Sequence, residues 1–285
     1  MTDAWHSGDV VANGIRLHYT RTGGAKPPLV LAHGVTDDGL CWSRVAEALA
    51  PSYEVVMVDA RGHGRSDAPE QGYSLAAQAA DTAGVIAALG LVRPAILGHS
   101  LGAAMALVLA GAYPDLPGAI LLEDPPAWWT AWATSAEADE RHAAMRARAA
   151  EVNILARDAL IADQRANNPG WSDDDLQSWA DAKQRFSLGV LDILAPRFPS
   201  EIDWPTLLRR IICPALLLTG DPNRRAIVTT ASAAALRALA PQLEIVHFPE
   251  AGHSIHRDQF ERFLDAVRAF LAAQRASIGA GVARA

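Results

Sequence analysis

Short apolar blocks punctuate this chain, separated by longer stretches in which apolar and polar positions recur at helical spacing. Pro28–Ala32, Tyr53–Val58, Ala95–Leu97, Gly118–Leu122 and Pro214–Thr219 are almost wholly apolar, and Leu243–His247 is largely so. A strand with apolar residues on both sides is buried on both faces, which is the situation of a parallel sheet covered by helices. Helical text lies near 41–49, from Ser74 to Leu89, from Ser100 to about Tyr113, around 230–240 and from about 257 to 272. Strands alternating with helices predict an α/β fold with right-handed crossovers. Val10–Tyr19 differs: it alternates around Asn13-Gly14, the signature of a tight hairpin.

The alternation lapses between the sixth and seventh of these strands. Residues 125–205 read as polar and helical, broken by Asn168-Pro169-Gly170 and by Pro196. Trp128, Trp129, Trp132, Trp171, Trp179 and Trp204 fall here, six of the chain's eight tryptophans. The segment is expected to form a helical cap over a core made of 1–124 and 206–275, with 276–285 an unstructured tail.

With 285 residues, half of them hydrophobic, the chain can bury a full core. A net charge of −7 leaves no basic footprint, so nucleic acid is not an expected partner. Two cysteines, Cys41 and Cys213, are too few for a disulfide framework and suggest a reducing compartment. The first residues lack a secretory pattern, and no run approaches the about 18 apolar residues that span a bilayer. A cytoplasmic protein without membrane contact is expected.

The chemistry centres on Gly98-His99-Ser100-Leu101-Gly102, placed where a strand passes directly into a helix. A sharp strand-to-helix turn exposes its central serine, and the flanking glycines let neighbouring backbone approach. Serine needs a base, and the base a carboxylate to orient it. His253, in the loop beyond the last strand, stands where a Ser–acid–His chain order puts the base. His256 belongs to the final helical segment, His247 to a strand, and His99 points away from its neighbour.

His33-Gly34, the Asp59-to-Asp67 loop, Gly98–Gly102 and Ala251-Gly252-His253, in this order, resemble the α/β-hydrolase family over about residues 10–273. The resemblance implies an eight-stranded, mostly parallel sheet with helices on both faces, a cap inserted between strands six and seven, and no cofactor. It also implies an oxyanion hole made by the backbone N–H groups of Val35 and Leu101. The acid departs from the commonest pattern, because the usual position after strand seven holds Asn223. Asp221 in the same loop is one candidate. Asp124, 24 residues after Ser100 at the end of strand six, matches a second family location and is preferred.

His33, Trp128 and Trp129 are candidate substrate-contacting residues. His33, Asp59, His63 and Asp67 lack a metal-ligand spacing and read as loop braces, so no metal is expected. Asp37 and Asp38 read as solvated. The expected activity is hydrolysis of a carboxylic ester or lactone carrying an apolar or aromatic group, through an acyl-enzyme on Ser100. The alternatives are cleavage of amide or carbon–carbon bonds, or a small-molecule receptor of the same fold with slow turnover.

Overall fold

The structure, a computed structural model, describes residues 5–130, 136–195 and 201–282. Trp132 and Pro196 lie outside the described residues. Eight strands form one sheet in the order β1-β2-β4-β3-β5-β6-β7-β8. The hairpin of β1 (His6–Ala12) and β2 (Ile15–Arg21) turns at Asn13-Gly14, whose φ values of 50° and 80° suit a tight two-residue turn. β2 joins β4 (Glu54–Val58) antiparallel. From there β3 (Pro28–Ala32), β5 (Ala95–His99), β6 (Ala119–Glu123), β7 (Ala215–Thr219) and β8 (Leu243–His247) run parallel.

The apolar strands are buried on both faces, as their composition requires. In β3, Val30 and Ala32 face one core while Leu29 and Leu31 face the other; in β6, Ile120 and Leu122 oppose Ala119 and Leu121. The first core is closed by α2 (Leu75–Ala88) and α3 (Leu101–Ala112), the second by α1 (Ser43–Leu49) and the final helix. Every residue of α3 from Leu101 to Gly111 is buried, which is why this helix has no polar face.

Between β6 and β7 lies the cap: α4 (Ala136–Ile154), α5 (Arg157–Asn167), α6 (Asp173–Lys183), a 3-10 segment at Leu188–Leu194, and α7 (Trp204–Leu208). Ser172 caps α6 by accepting from Asp175 N, and three aspartates in its first turn with Lys183 in its last complement the helix dipole. After β7 come α8 (Thr230–Leu239), α9 (Ile255–Asp258) and α10 (Phe260–Val282). α10 continues through part of the segment expected as a tail, and the last three residues lie outside the described residues. Register puts Ala32 beside Gly98, His99 beside Glu123 and Glu123 beside Leu218, so the carboxyl ends of the central strands share one rim. Loops leaving that rim are where an open α/β sheet binds ligands.

Candidate active site

β5 delivers Ser100 in a conformation L-residues rarely take, with φ 51° and ψ −114°. The turn is held from below, Ser100 N donating to the Glu123 carbonyl at 2.8 Å. A Cβ on Gly98 would lie 2.4 Å from the Gly102 carbonyl carbon, and one on Gly102 would lie 2.2 Å from Ala32 O. Only glycine at both places lets α3 start this close to β5 and β3. Leu101 N–H therefore opens α3 beside Ser100, in the first turn, where helical N–H groups have no intrahelical acceptor. Val35, in the loop after β3, lines the same cavity as Ser100, and Gly34 passes so near that a Cβ there would meet Ser100 Cβ at 3.4 Å.

β6 ends on two adjacent carboxylates that diverge, both fully buried. Glu123 receives His256 N at 2.9 Å and faces His256 Nδ1 at 2.8 Å. Burial pushes the Glu123 carboxyl up to about 7 and the His256 imidazole down to about 3, so the imidazole is held in its neutral form. Asp124 turns the other way with φ 42°, and its Oδ2 lies 2.6 Å from His253 Nδ1. The same carboxylate accepts Ile227 N at 2.8 Å and Val228 N at 2.9 Å. Three N–H groups converge on it, so it serves as acceptor throughout, His253 Nδ1 is the donor, and His253 Nε2 is left to accept. His253 O is fixed by His99 Nε2 at 3.0 Å, and burial holds His99 down at about 3, in its neutral form.

Asp221, the other candidate acid, is not brought to His253. Its Oδ1 accepts Asn223 N at 2.9 Å and Asn223 Nδ2 at 3.0 Å, capping the short 3-10 turn of its own loop. The same loop, between β7 and α8, carries Ile227 and Val228 across to Asp124.

The profile of the alpha/beta hydrolase family matches residues 29–266. The chain belongs to that family. It is 32% identical over 270 residues to an N-formylmaleamate deformylase of Pseudomonas putida, covering 93% of this chain and 96% of the relative. Its fold superposes on the crystal structure of an E-2-(acetamidomethylene)succinate hydrolase with a TM-score of 0.80 at 26% identity, covering 94% of this chain and all of the other. A thermophilic esterase from Thermogutta terrifontis, solved with malate bound, gives 0.74 at 26% identity over 94% and 99%.

In this hydrolase Ser100 and His253 line one cavity of about 590 Å³, together with Gly34, Val35 and residues of α5 and α6. Its walls differ from the aromatic lining expected. Trp128 and Trp129 are in the hydrophobic core: Trp128 lies 6.4 Å from Trp204 ring to ring, and Trp129 Nε1 donates to Ser232 O at 2.8 Å. They follow β6 so closely that the chain is still packing against the sheet when it reaches them. Trp129→Ala should cost about 3–5 kcal/mol of stability, read as a lower denaturation midpoint, with substrate preference unchanged. Trp171 and Trp179 do line the cavity, and each carries a cation over its ring, Arg257 at 4.7 Å and Lys183 at 4.9 Å.

His33 is a brace and does not line the cavity. Its Nε2 accepts Ala60 N at 3.0 Å and its Nδ1 donates to Gly34 O at 2.8 Å. Asp59 and His63 brace the same region, Asp59 accepting Gly39 N and Arg65 N, His63 accepting Thr36 N. Asp37 and Asp38, expected in solvent, are buried. Asp37 is clamped by Lys183 at 2.5 Å and Arg257 at 3.0 Å, and Asp38 pairs with Arg185 at 2.8 Å. The two basic neighbours hold the Asp37 carboxyl well below the usual carboxylate range despite its burial.

Four cations line the cavity: Lys183, Arg224, Arg225 and Arg257. Its two carboxylates, Asp37 and Asp258, are already engaged, Asp258 by Trp171 Nε1 and Gly252 N, each at 2.8 Å. Arg224 and Arg225 have no ion-pair partner among the described residues. Sequence reasoning missed these cations; the adjacent arginines after β7 were the one visible sign.

Proposed function

We propose that this hydrolase transfers the acyl group of a small, carboxylate-bearing amide to Ser100 and then to water. The carrying observation is the excess of cations over free carboxylates in the cavity that Ser100 and His253 share. The two relatives named for N-formylmaleamate and 2-(acetamidomethylene)succinate, both N-acylated carboxylates, support the same class.

In this reading Ser100 Oγ attacks the acyl carbon while its proton passes to His253 Nε2. The oxyanion is held by the N–H groups of Val35 and Leu101, a fixed pair of donors aimed at charge that exists only in the transition state. His253 returns the proton to the leaving nitrogen as the C–N bond breaks. Water then attacks the acyl-enzyme, giving its proton to His253, and Ser100 leaves with that proton. Asp124 keeps His253 in the tautomer with Nε2 free and stabilises its protonated form. Asp221 has no part in this sequence. Arg224 and Arg225 hold the substrate carboxylate. An ester differs only in the leaving atom, and likeness to the thermophilic esterase favours ester cleavage as the second reading.

The test is a panel of N-formyl and N-acetyl amides with and without a carboxylate, beside neutral p-nitrophenyl esters. Carboxylate-bearing amides should have the higher kcat/KM, with sustained turnover that a slow receptor would not show. Replacing Arg224 and Arg225 together with Ala should raise KM for them about 10–100-fold, the worth of charge-assisted hydrogen bonds, and leave neutral esters nearly unchanged. Preference for neutral esters that survives loss of both arginines would sink the proposal.

A further inference from the structure

We propose that Lys183, carried by the cap, is a positioning residue for the oxyanion donor Val35. The inference rests on the reading of Val35 N–H as that donor. Val35 N–H belongs to the same planar peptide unit as Gly34 C=O, so whatever fixes the carbonyl fixes the direction of the N–H. Gly34 O accepts two hydrogen bonds, from His33 Nδ1 at 2.8 Å and from Asp37 N at 3.2 Å. The position of Asp37 thus decides one of the two restraints on the donor.

The local turn that closes through Asp37 N and Gly34 O is not the whole of what holds Asp37. The loop runs through Thr36 at φ 66°, a conformation a β-branched residue adopts only when its surroundings enforce it. Thr36 N–H reaches His63 Nε2 at 3.4 Å from one side, and the last residue of α6 closes on the loop from the cap. Lys183 Nζ donates to Thr36 O at 3.0 Å and to Asp37 Oδ1 at 2.5 Å, and its side chain is only 7% exposed. Arg257 Nη2 holds the other oxygen of Asp37 at 3.0 Å. One ammonium from the cap therefore grips the two residues that follow Val35.

A second cap-to-loop pair, Arg185 with Asp38, provides the control. It joins the same two segments at 2.8 Å, but Asp38 caps the following 3-10 turn through Leu40 N and makes no bond to Gly34 O. If cap docking in general mattered, both pairs would matter alike. If the peptide holding Val35 N–H is what Lys183 fixes, only Lys183 touches the rate.

The experiment compares Lys183→Met, Lys183→Arg and Arg185→Met, using p-nitrophenyl acetate for kcat and KM, thermal melts for stability, and phenylboronic acid as a transition-state mimic that adds to Ser100. Lys183→Met should lose about 10–100-fold in kcat, the scale of a misdirected oxyanion donor, with KM within about twofold. Its boronate affinity should fall in step with kcat. Lys183→Arg should recover most of the rate, because it keeps donors for both oxygens. Lys183→Met and Arg185→Met should both lower Tm, since each strips a partner from a buried carboxylate, but Arg185→Met should retain kcat. Should the Met variant fail to fold, Lys183→Gln, whose amide reaches one oxygen at a time, carries the same comparison. Equal loss in the Lys183 and Arg185 variants, or full kcat and boronate affinity in Lys183→Met, overturns the inference. A wild-type protein that neither turns over the ester nor binds the boronate refutes the Ser100 reading instead.

Discussion

Asp124→Asn is expected to lose about 10⁴-fold in kcat, the usual cost when the orienting carboxylate of a serine–histidine site becomes an amide. The geometry gives the reason atom by atom. Oδ2 accepts from His253 Nδ1 and Ile227 N, and Oδ1 from Val228 N. An asparagine NH₂ placed at Oδ2 would confront two donors; placed at Oδ1 it would confront one. Either orientation leaves an N–H facing an N–H, and the first drives His253 toward the tautomer in which Nε2 carries the proton. Nor does an amide carry the charge that offsets a protonated imidazole. Asp221→Asn, by contrast, keeps an acceptor oxygen for Asn223 N and should stay within a few-fold of wild type. Steady-state turnover of both variants on one substrate decides it. Asp124→Asn within tenfold of wild type would remove Asp124 from the proposed mechanism.

Ser100→Ala is expected to abolish labelling by a fluorophosphonate and to lose at least ~10³-fold in kcat, what remains being the contribution of the oxyanion donors and binding alone. The fold should survive. Alanine meets the same positive-φ strain as serine, and the neighbours that force the turn, Gly98 and Gly102, are untouched. A circular dichroism melt close to wild type beside the lost turnover completes the result. Near-normal hydrolysis with an unchanged melt would mean that the nucleophile lies elsewhere.

The parts of this molecule that were legible in the sequence are those written in local chemistry. Short apolar runs bounded by turn residues and alternating with helical text read as strands buried on two faces, and Asn13-Gly14 as a turn. Gly98-His99-Ser100-Leu101-Gly102 announces its conformation, because each glycine is required by a contact with backbone a few residues or one strand away. The carboxylate that meets His253 Nδ1, Asp124, is the candidate favoured by its spacing from Ser100, and the commoner family position holds Asn223. What stayed hidden depends on how distant segments face one another. Asp37 and Asp38 look like any acidic loop until the end of α6 and the turn after it set Lys183 and Arg185 against them, 146 residues later for the Asp37 pair. The cap tryptophans are alike in sequence, yet those next to a sheet strand or leading back to it, Trp128, Trp129 and Trp204, join the core. Trp171 and Trp179, carried out on α6 and its approach, face the cavity. A hydrophobicity pattern records that a residue prefers burial and says nothing of which wall buries it.

The bonding of Asp124 to three N–H groups couples the histidine loop to the loop after β7. In the proposed mechanism, the carboxylate's role cannot pass to the loop after β7 by one substitution. Asn223→Asp would set a second negative charge beside Asp221, whose Oδ1 now receives the Asn223 amide at 3.0 Å, and would leave His253 still bound to its old partner. Removing Asp124 first would strand the amides of Ile227 and Val228 along with the histidine. Neither change alone gives His253 a carboxylate from the loop after β7, because Asp124 ties that histidine and that loop together.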